Sequence, residues 1–298
     1  MRRKILFWVI GISVVFPHFL FAEPKKVIGV IDFENKAGAV AWVNLGQDLA
    51  DMLSHALVES GKFVVVERPK LDAVLREQQL RKKGFTKGNI RTGSLEGAQV
   101  LITGAVTEFE QAETGGLGDI RVKAFKFGLG TKWAHVGLVI RGVDVNTGEV
   151  IFSERIEKKV NATNFKFGWD KGDYGINTAA FKNTPLGKAL QEAIKEAVNL
   201  ITIKTEDIAW QGKVMKVSGD VVYITGGEDV GIENGSTFLV LKTLEELTDP
   251  DTGEVLGVET KTLGKITVVE VQEKFSKAKT VDFEPSEISR GDIVKLLK

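Results

Sequence analysis

"AFKFGLG", residues Ala124 to Gly130, is written again forty residues later as "NFKFGW", Asn164 to Trp169. In an extended chain, successive side chains point to opposite faces. Phe125, Phe127 and Leu129 therefore share one face and Lys126, Gly128 and Gly130 the other. In the second copy Phe165, Phe167 and Trp169 oppose Lys166, Gly168 and Asp170. Apolar-out, polar-in alternation over strands of about 10 residues is the pattern of a transmembrane β-barrel. A soluble sandwich reads much the same, its aromatic face being the core. Glycines 128, 130 and 168 fill no core and weaken a soluble strand, which favours the barrel. Two hairpins are only four strands and a barrel needs at least about eight, so several copies would have to close it together.

Around the repeat, from Val106 to Asn164, there is hardly a helical period. Long alternating segments are broken by "ETGGLGD" at 113–119 and "NTGE" at 146–149, both read as hairpin tips. Upstream, "KVIGVIDF" from Lys26 is a β-branched strand. Leu45, Leu49, Met52, Leu53, Ala56 and Leu57 recur at helical spacing, predicting a helix over 46–60 ended by Gly61. "FVVVER" is a second strand, Pro69 opens a helix carrying Leu71, Val74 and Leu75, and "VLITGAV" from Val100 is a third strand. Strand and helix in alternation make an α/β layer.

Downstream, Thr184 is an N-cap and Pro185 a first-turn residue for a helix whose apolar face is Leu186, Leu190, Ala193, Ile194, Ala197, Val198 and Ile201. Beyond Lys204, "GKVMKVSGDVVYI", "GSTFLVLK", "GKITVVEV" and "GDIVKLL" are short strands between glycine turns, spaced like a small antiparallel barrel or sandwich.

The first residues bear on where the chain works. Arg2, Arg3 and Lys4 precede a short apolar run, Ile5 to Phe16, and Ala22 closes the segment, so residues 1–22 read as an export signal. A retained membrane helix is the weaker alternative, because a span needs about 20 apolar residues. Cleavage after Ala22 takes three of the 40 Lys+Arg and none of the 40 Asp+Glu, which leaves a net charge of −3. Nothing in that balance attracts nucleic acid. With no cysteine, disulfides and thiolate metal sites are excluded, and the residue that carries the lipid of a bacterial lipoprotein is not there.

"ENKAG", "LADMLSHALVESGKFVVVERPKLDAVLREQ", "GAQVLITGAVTEF", the "GGLG" turn, "FGLG" and "VDVNTGEVI" together resemble the CsgG family, the curli production assembly and transport component, from about Val27 to about Ile201. The resemblance implies a periplasmic α/β domain, with hairpin regions at about 106–144 and 150–184 that join those of neighbouring subunits in an outer-membrane barrel. It implies a homo-oligomeric ring exporting unfolded polypeptide. It also implies a constriction loop after the first strand, onto which Trp42, Asn44 and Leu45 of "NKAGAVAWVNLG" map in order. Repeated around a ring, Trp42 becomes a girdle of rings and Asn44 a belt of amides. The plainer reading makes Trp42 and Leu45 a staple on the first helical turn, and both readings stand. Residues 206–298 are additional and resemble the C-terminal β module of flagellar assembly protein T.

No catalytic residue, metal site or cofactor is expected. After Ala22 the histidines are His55, on the polar face of a helix, and His135, in a strand; neither has a neighbour at metal spacing. "GGLGD" lacks the helix that a dinucleotide site requires. "DPDTGE" at 249–254 is a turn rather than a calcium loop, and "RGD" at 290–292 a turn before the last strand. The fold class is therefore α+β: a signal at 1–22, a CsgG-like α/β domain with hairpins at 23–205, and an all-β module at 206–298. The expected function is an oligomeric outer-membrane secretion channel facing the periplasm. The alternative is a soluble periplasmic structural or adaptor protein of an envelope or flagellar machine, which the charges Lys159, Lys166, Asp170, Lys171 and Asp173 of the second hairpin favour.

Overall fold

Two sheets organise the chain, one mixed and one closed on itself. The computed structural model describes residues 23–38, 44–66, 97–114, 131–145, 147–162, 179–250 and 255–297. The helix expected from Pro69 lies outside them.

In the first sheet the strand order is β3-β1-β4-β5-β6, made of Phe63–Val66, Lys26–Val30, Val100–Thr114, Thr131–Asp144 and Val150–Ala162; the short β2, Glu34–Asn35, also pairs with β4. β1 runs parallel to β3 and β4, whereas β4, β5 and β6 form an antiparallel meander. Helix α1, Leu45–Glu59, forms because Leu45, Leu49, Leu53 and Leu57 fall every fourth residue on one stripe, and all four are buried. After the short α2, Ala179–Lys182, helix α3 runs Pro185–Lys204. Its start is the one the sequence predicts: Pro185 occupies the first turn and the Thr184 hydroxyl accepts from Gly187 N at 3.0 Å. Each Leu or Ile fully buried beneath these helices contributes about 1.5–3 kcal/mol.

The turn expected at 146–149 closes β5 onto β6, with Gly148 N donating to Asp144 O at 2.8 Å. The turn expected at 113–119 needs correction. Glu113 and Thr114 are in β4, paired with Lys132 and Thr131, and residues 115–119 of the expected turn lie outside the described residues. The region expected as hairpin over 150–184 is likewise helical at Ala179–Lys182.

The C-terminal strands are β7 (Gln211–Ser218), β8 (Val221–Thr225), β9 (Thr237–Thr248), β10 (Val255–Val271), β11 (Phe275–Thr280) and β12 (Ile293–Leu296). They close into an antiparallel barrel in the order β10-β11-β8-β7-β12-β9. Closure removes the sheet edges within the barrel, beyond which β9 and β10 continue as a pair. "RGD" is a turn here: Asp292 is buried, its Oδ2 accepting from Ser289 N at 2.7 Å and its Oδ1 from Thr243 N at 3.2 Å.

The two sheets meet at β1 and β3, which are buried from both sides. Ile28, Val30, Phe63 and Val65 point into the helix-covered core, while Val27, Val64 and Val66 point into the barrel's core. Trp210 leads into the barrel and packs on Phe238 with ring centroids 5.4 Å apart. A Cβ on Gly226, whose φ is +89°, would come within 2.6 Å of the Trp210 ring, so glycine is needed there twice over. Gln99 ties the joint: its amide donates to Ala209 O and accepts from Val27 N, both at 3.3 Å. Replacing Trp210 with Ala is expected to destabilise the protein by about 3–5 kcal/mol and to split a single unfolding transition into two. Calorimetry with a single unshifted transition would contradict this account of the joint.

Candidate functional site

The lower end of β4 rests by Gln99 on the barrel, and its upper end runs free of it. β4 has 15 residues, about 50 Å at the usual rise and well beyond the usual five or six. Its last core residue among the described side chains is Phe109, which stacks on Phe181 of α2 with centroids 6.4 Å apart. Above that lid β4 still pairs with β5 through Thr114, and β6 pairs with β5 through Ala162. All three strands therefore leave the helix-covered layer at the same end. That end leads to both Phe-Lys-Phe-Gly segments. Phe125, Phe127, Leu129, Phe165, Phe167 and Trp169 themselves lie outside the described residues.

At the root of these strands a cluster of charges binds the three together on the sheet face away from the helices. A β-bulge between Val106 and Glu108 lets both Val106 and Phe109 face the core and turns Glu108 to the other side. There Arg155 Nη2 donates to Glu108 Oε1 at 2.6 Å and Arg155 Nε to Glu157 Oε1 at 2.7 Å. Thr107 donates its hydroxyl to Glu108. Gly137 of β5 lies under the Glu108 carboxylate, and a Cβ there would collide with it. His135 of β5 sits with Nε2 3.6 Å from Glu157 Oε2 and makes no hydrogen bond at that nitrogen. The bonds from Arg155 hold the Glu157 carboxyl below its ordinary value, and the same bonds raise the guanidinium above its own. Arg155 and Glu157 are exposed, so solvent screens both pairs and they contribute little to stability. Their effect is registry: one guanidinium clamps β6 to β4 across β5.

Asn44 and Leu45 separate on inspection. Asn44 is exposed at the N-cap of α1, with φ −110° and ψ 21°, and its side chain makes no capping bond. A cap residue outside the extended region cannot aim its oxygen at the first turn. The amide is thus available to another partner. Leu45 is 1% exposed within the protein's own core. In the single subunit this side chain packs inward, and the contact with Trp42 that a staple requires lies outside the described residues. Trp42 lies outside the described residues.

Compared with known proteins, residues 20–224 match the family described as the curli production assembly/transport component CsgG. The chain belongs to the CsgG family. A relative from Neisseria meningitidis serogroup B, named as a candidate lipoprotein (NMB1126/NMB1164), is 27% identical over 193 residues, covering 63% of this chain and 79% of its own. Among solved structures, the hypothetical protein CT253 of Chlamydia trachomatis is 16% identical with a TM-score of 0.39, over 61% of this chain and 96% of that one. Lipoprotein GNA1162 of Neisseria meningitidis is 16% identical with a TM-score of 0.30, over 58% and 99%. At such identities and scores the likeness extends to neither activity nor assembly.

The CsgG match ends at Ile224, inside the barrel, and gives no support to the resemblance of residues 206–298 to flagellar assembly protein T. Of the histidines in this CsgG-family chain, His55 is on the exposed face of α1, 3.4 Å from Glu59. No group of metal-ligating side chains and no helix long and apolar enough to cross a membrane occurs among the described residues.

Sequence reasoning missed the Glu108–Arg155 pair, because its partners are 47 residues apart and the bulge breaks strict alternation. The signal for it was the three-residue spacing of Val106 and Phe109, which no regular strand can place on one face. Because the Glu157 value is depressed, its contribution is present above the ordinary carboxylate range and is lost as pH falls below about 4. Arg155→Gln is expected to raise the Glu157 midpoint toward its ordinary value in a carboxyl NMR titration. An unmoved midpoint would remove the clamp from consideration.

Proposed function

We propose that this CsgG-family chain is a subunit of an oligomeric outer-membrane secretion channel that passes unfolded polypeptide from the periplasm. The observation that carries the reading is the common exit of β4, β5 and β6 above the Phe109–Phe181 lid, with pairing unbroken as helical cover ends. Strands that continue past their core must find another apolar medium or another copy to pair with. The alternating Phe-Lys-Phe-Gly segments that follow suit both needs at once, with aromatic rings toward lipid and lysines toward a wet lumen. The free amide of Asn44, repeated around a ring, would meet a passing backbone through hydrogen bonds common to every sequence. Trp42, two residues earlier, would narrow the same passage. This role is transport without catalysis, in an exported protein facing the periplasm.

The second reading, a periplasmic adaptor that uses the same fold to dock on an envelope machine, is favoured by the exposed Lys159 and Asn161 near the top of β6. Charge at that height is tolerated only if the lipid band begins above it. Purified full-length protein is expected to require detergent, to form rings, and to conduct ions in planar bilayers. Trp42→Ala should raise the single-channel conductance. Leu45→Ala should instead lower stability, by about 2–5 kcal/mol, as its core position demands. A monomeric, water-soluble and electrically silent protein would decide for the adaptor.

A further inference from the structure

Beyond Leu241, strand β9 has no partner except β10. β12 pairs with β9 only from Phe238 to Leu241, whereas β9 and β10 go on pairing out to Thr248 and Val255. Past the bond from Thr243 N to Asp292 this two-stranded ribbon leaves the barrel, and two register shifts bend it along its length. An isolated ribbon of this kind is marginal in water. Among the described residues it nevertheless exposes Leu244 at 49% and Leu247 at 48%, with Val258 at 41% on the face opposite Leu247. Between them stand Glu245 and Glu259, for which no ion pair occurs among the described residues, and Lys261. An exposed apolar strip on a projecting arm marks a contact surface.

Elsewhere on the molecule is a groove of matching character. It lies between α1 and α3 and encloses about 620 Å³. Met52, Ala56, Ile194 and Val198 make an apolar floor; Asp51 and Glu59 stand on the α1 wall, and Lys182 of α2 and Lys195 of α3 on the opposite wall. The two lysines are exposed, and no ion pair is formed by either among the described residues. The ribbon offers aliphatic side chains for such a floor, carboxylates for the lysine wall and Lys261 for the acidic wall.

We propose that the β9–β10 ribbon of one copy docks in the α1–α3 groove of a second copy. The inference rests on the reading of the chain as an oligomer subunit and names the contact that would join neighbours outside any membrane. A ribbon on one surface and a groove on another make a head-to-tail contact, and such contacts close into rings when the rotation allows. The C-terminal module then serves as a coupling between neighbouring subunits.

Because the chain has no cysteine, disulfide trapping is free of background. Leu247→Cys and Asn199→Cys are made in separate full-length proteins, both at exposed positions, then mixed and oxidised. A covalent dimer formed only in the mixture supports docking between copies. A link formed only within the doubly substituted chain, with none in the mixture, overturns it. As an independent measure, Lys195→Glu should weaken self-association by roughly fivefold, with Glu259→Lys on the same protein restoring it. Oligomers that persist with no trapped dimer and no response to Lys195→Glu overturn the ribbon contact and leave the channel reading intact. Protein that stays monomeric at every concentration overturns both.

Discussion

Strand β5 is hydrogen-bonded along both edges, to β4 from Thr131 to Asp144 and to β6 from Lys132 to Val143. Everything that distinguishes this molecule from an ordinary α/β domain depends on that continuity. From near its top downward, β5 presents Ala134, Val136, Leu138 and Ile140 to the helices, so burial fixes its register there. A slip of one residue would turn all four to the wrong face. Above Ala134 the pairing keeps the same register up to Thr131, inherited from the buried stretch below. The helical core therefore acts as a jig for the free strand ends. The Glu108–Arg155–Glu157 clamp lies at that transition, where hydrophobic specification runs out and a charged tie across three strands can replace it.

The other end of the sheet solves a different problem. β1 and β3 are short, and each is covered on both faces, by helices on one side and the barrel on the other. Such two-sided burial calls for the continuous β-branched runs that "KVIGV" and "FVVV" supply. The same two-sided burial helps to explain how a chain without cysteine, and so without disulfides, is held together. The domain joint adds apolar burial at Val27, Val64, Val66 and Trp210 that neither domain would have alone.

Much of this was legible in the residues, for reasons that can be named. The leucines of α1, the Thr184–Pro185 start of α3 and the glycine turn at Gly148 are local signals, and the structure realises each within a residue or so. What was hidden depended on distant partners. The turn signal in "ETGGLGD" began two residues early, since Glu113 and Thr114 still pair with Lys132 and Thr131. Strand β11 escaped notice because "FSKAKT" carries little apolar surface. Its inward residues Ser276 and Ala278 are small, and its outward lysines pair with Glu270 and Asp220. Leu45 was ambiguous for a deeper reason: one leucine at the start of a helix satisfies a core stripe and a lumen ring equally well on paper. Only the fold, with Leu45 under α1 and Asn44 exposed beside it, divides the two residues into a structural and an available one.

This division also bears on how a passage could be narrowed without weakening the subunit. The loop from β2 to α1 is anchored at both ends. Lys36 N donates to Val106 O at 2.8 Å on one side, and Leu45 is sunk in the core on the other. Residues between such anchors can be exchanged at little cost to stability, because loop closure entropy depends only weakly on length and composition. The anchor residues cannot. A constriction built this way is adjustable in what it presents while fixed in where it stands, and the fixed reference is the same β4 strand that carries the upper ribbon. Position of the loop and position of the strand ends are thus set by one element, which keeps them aligned in every copy of the subunit.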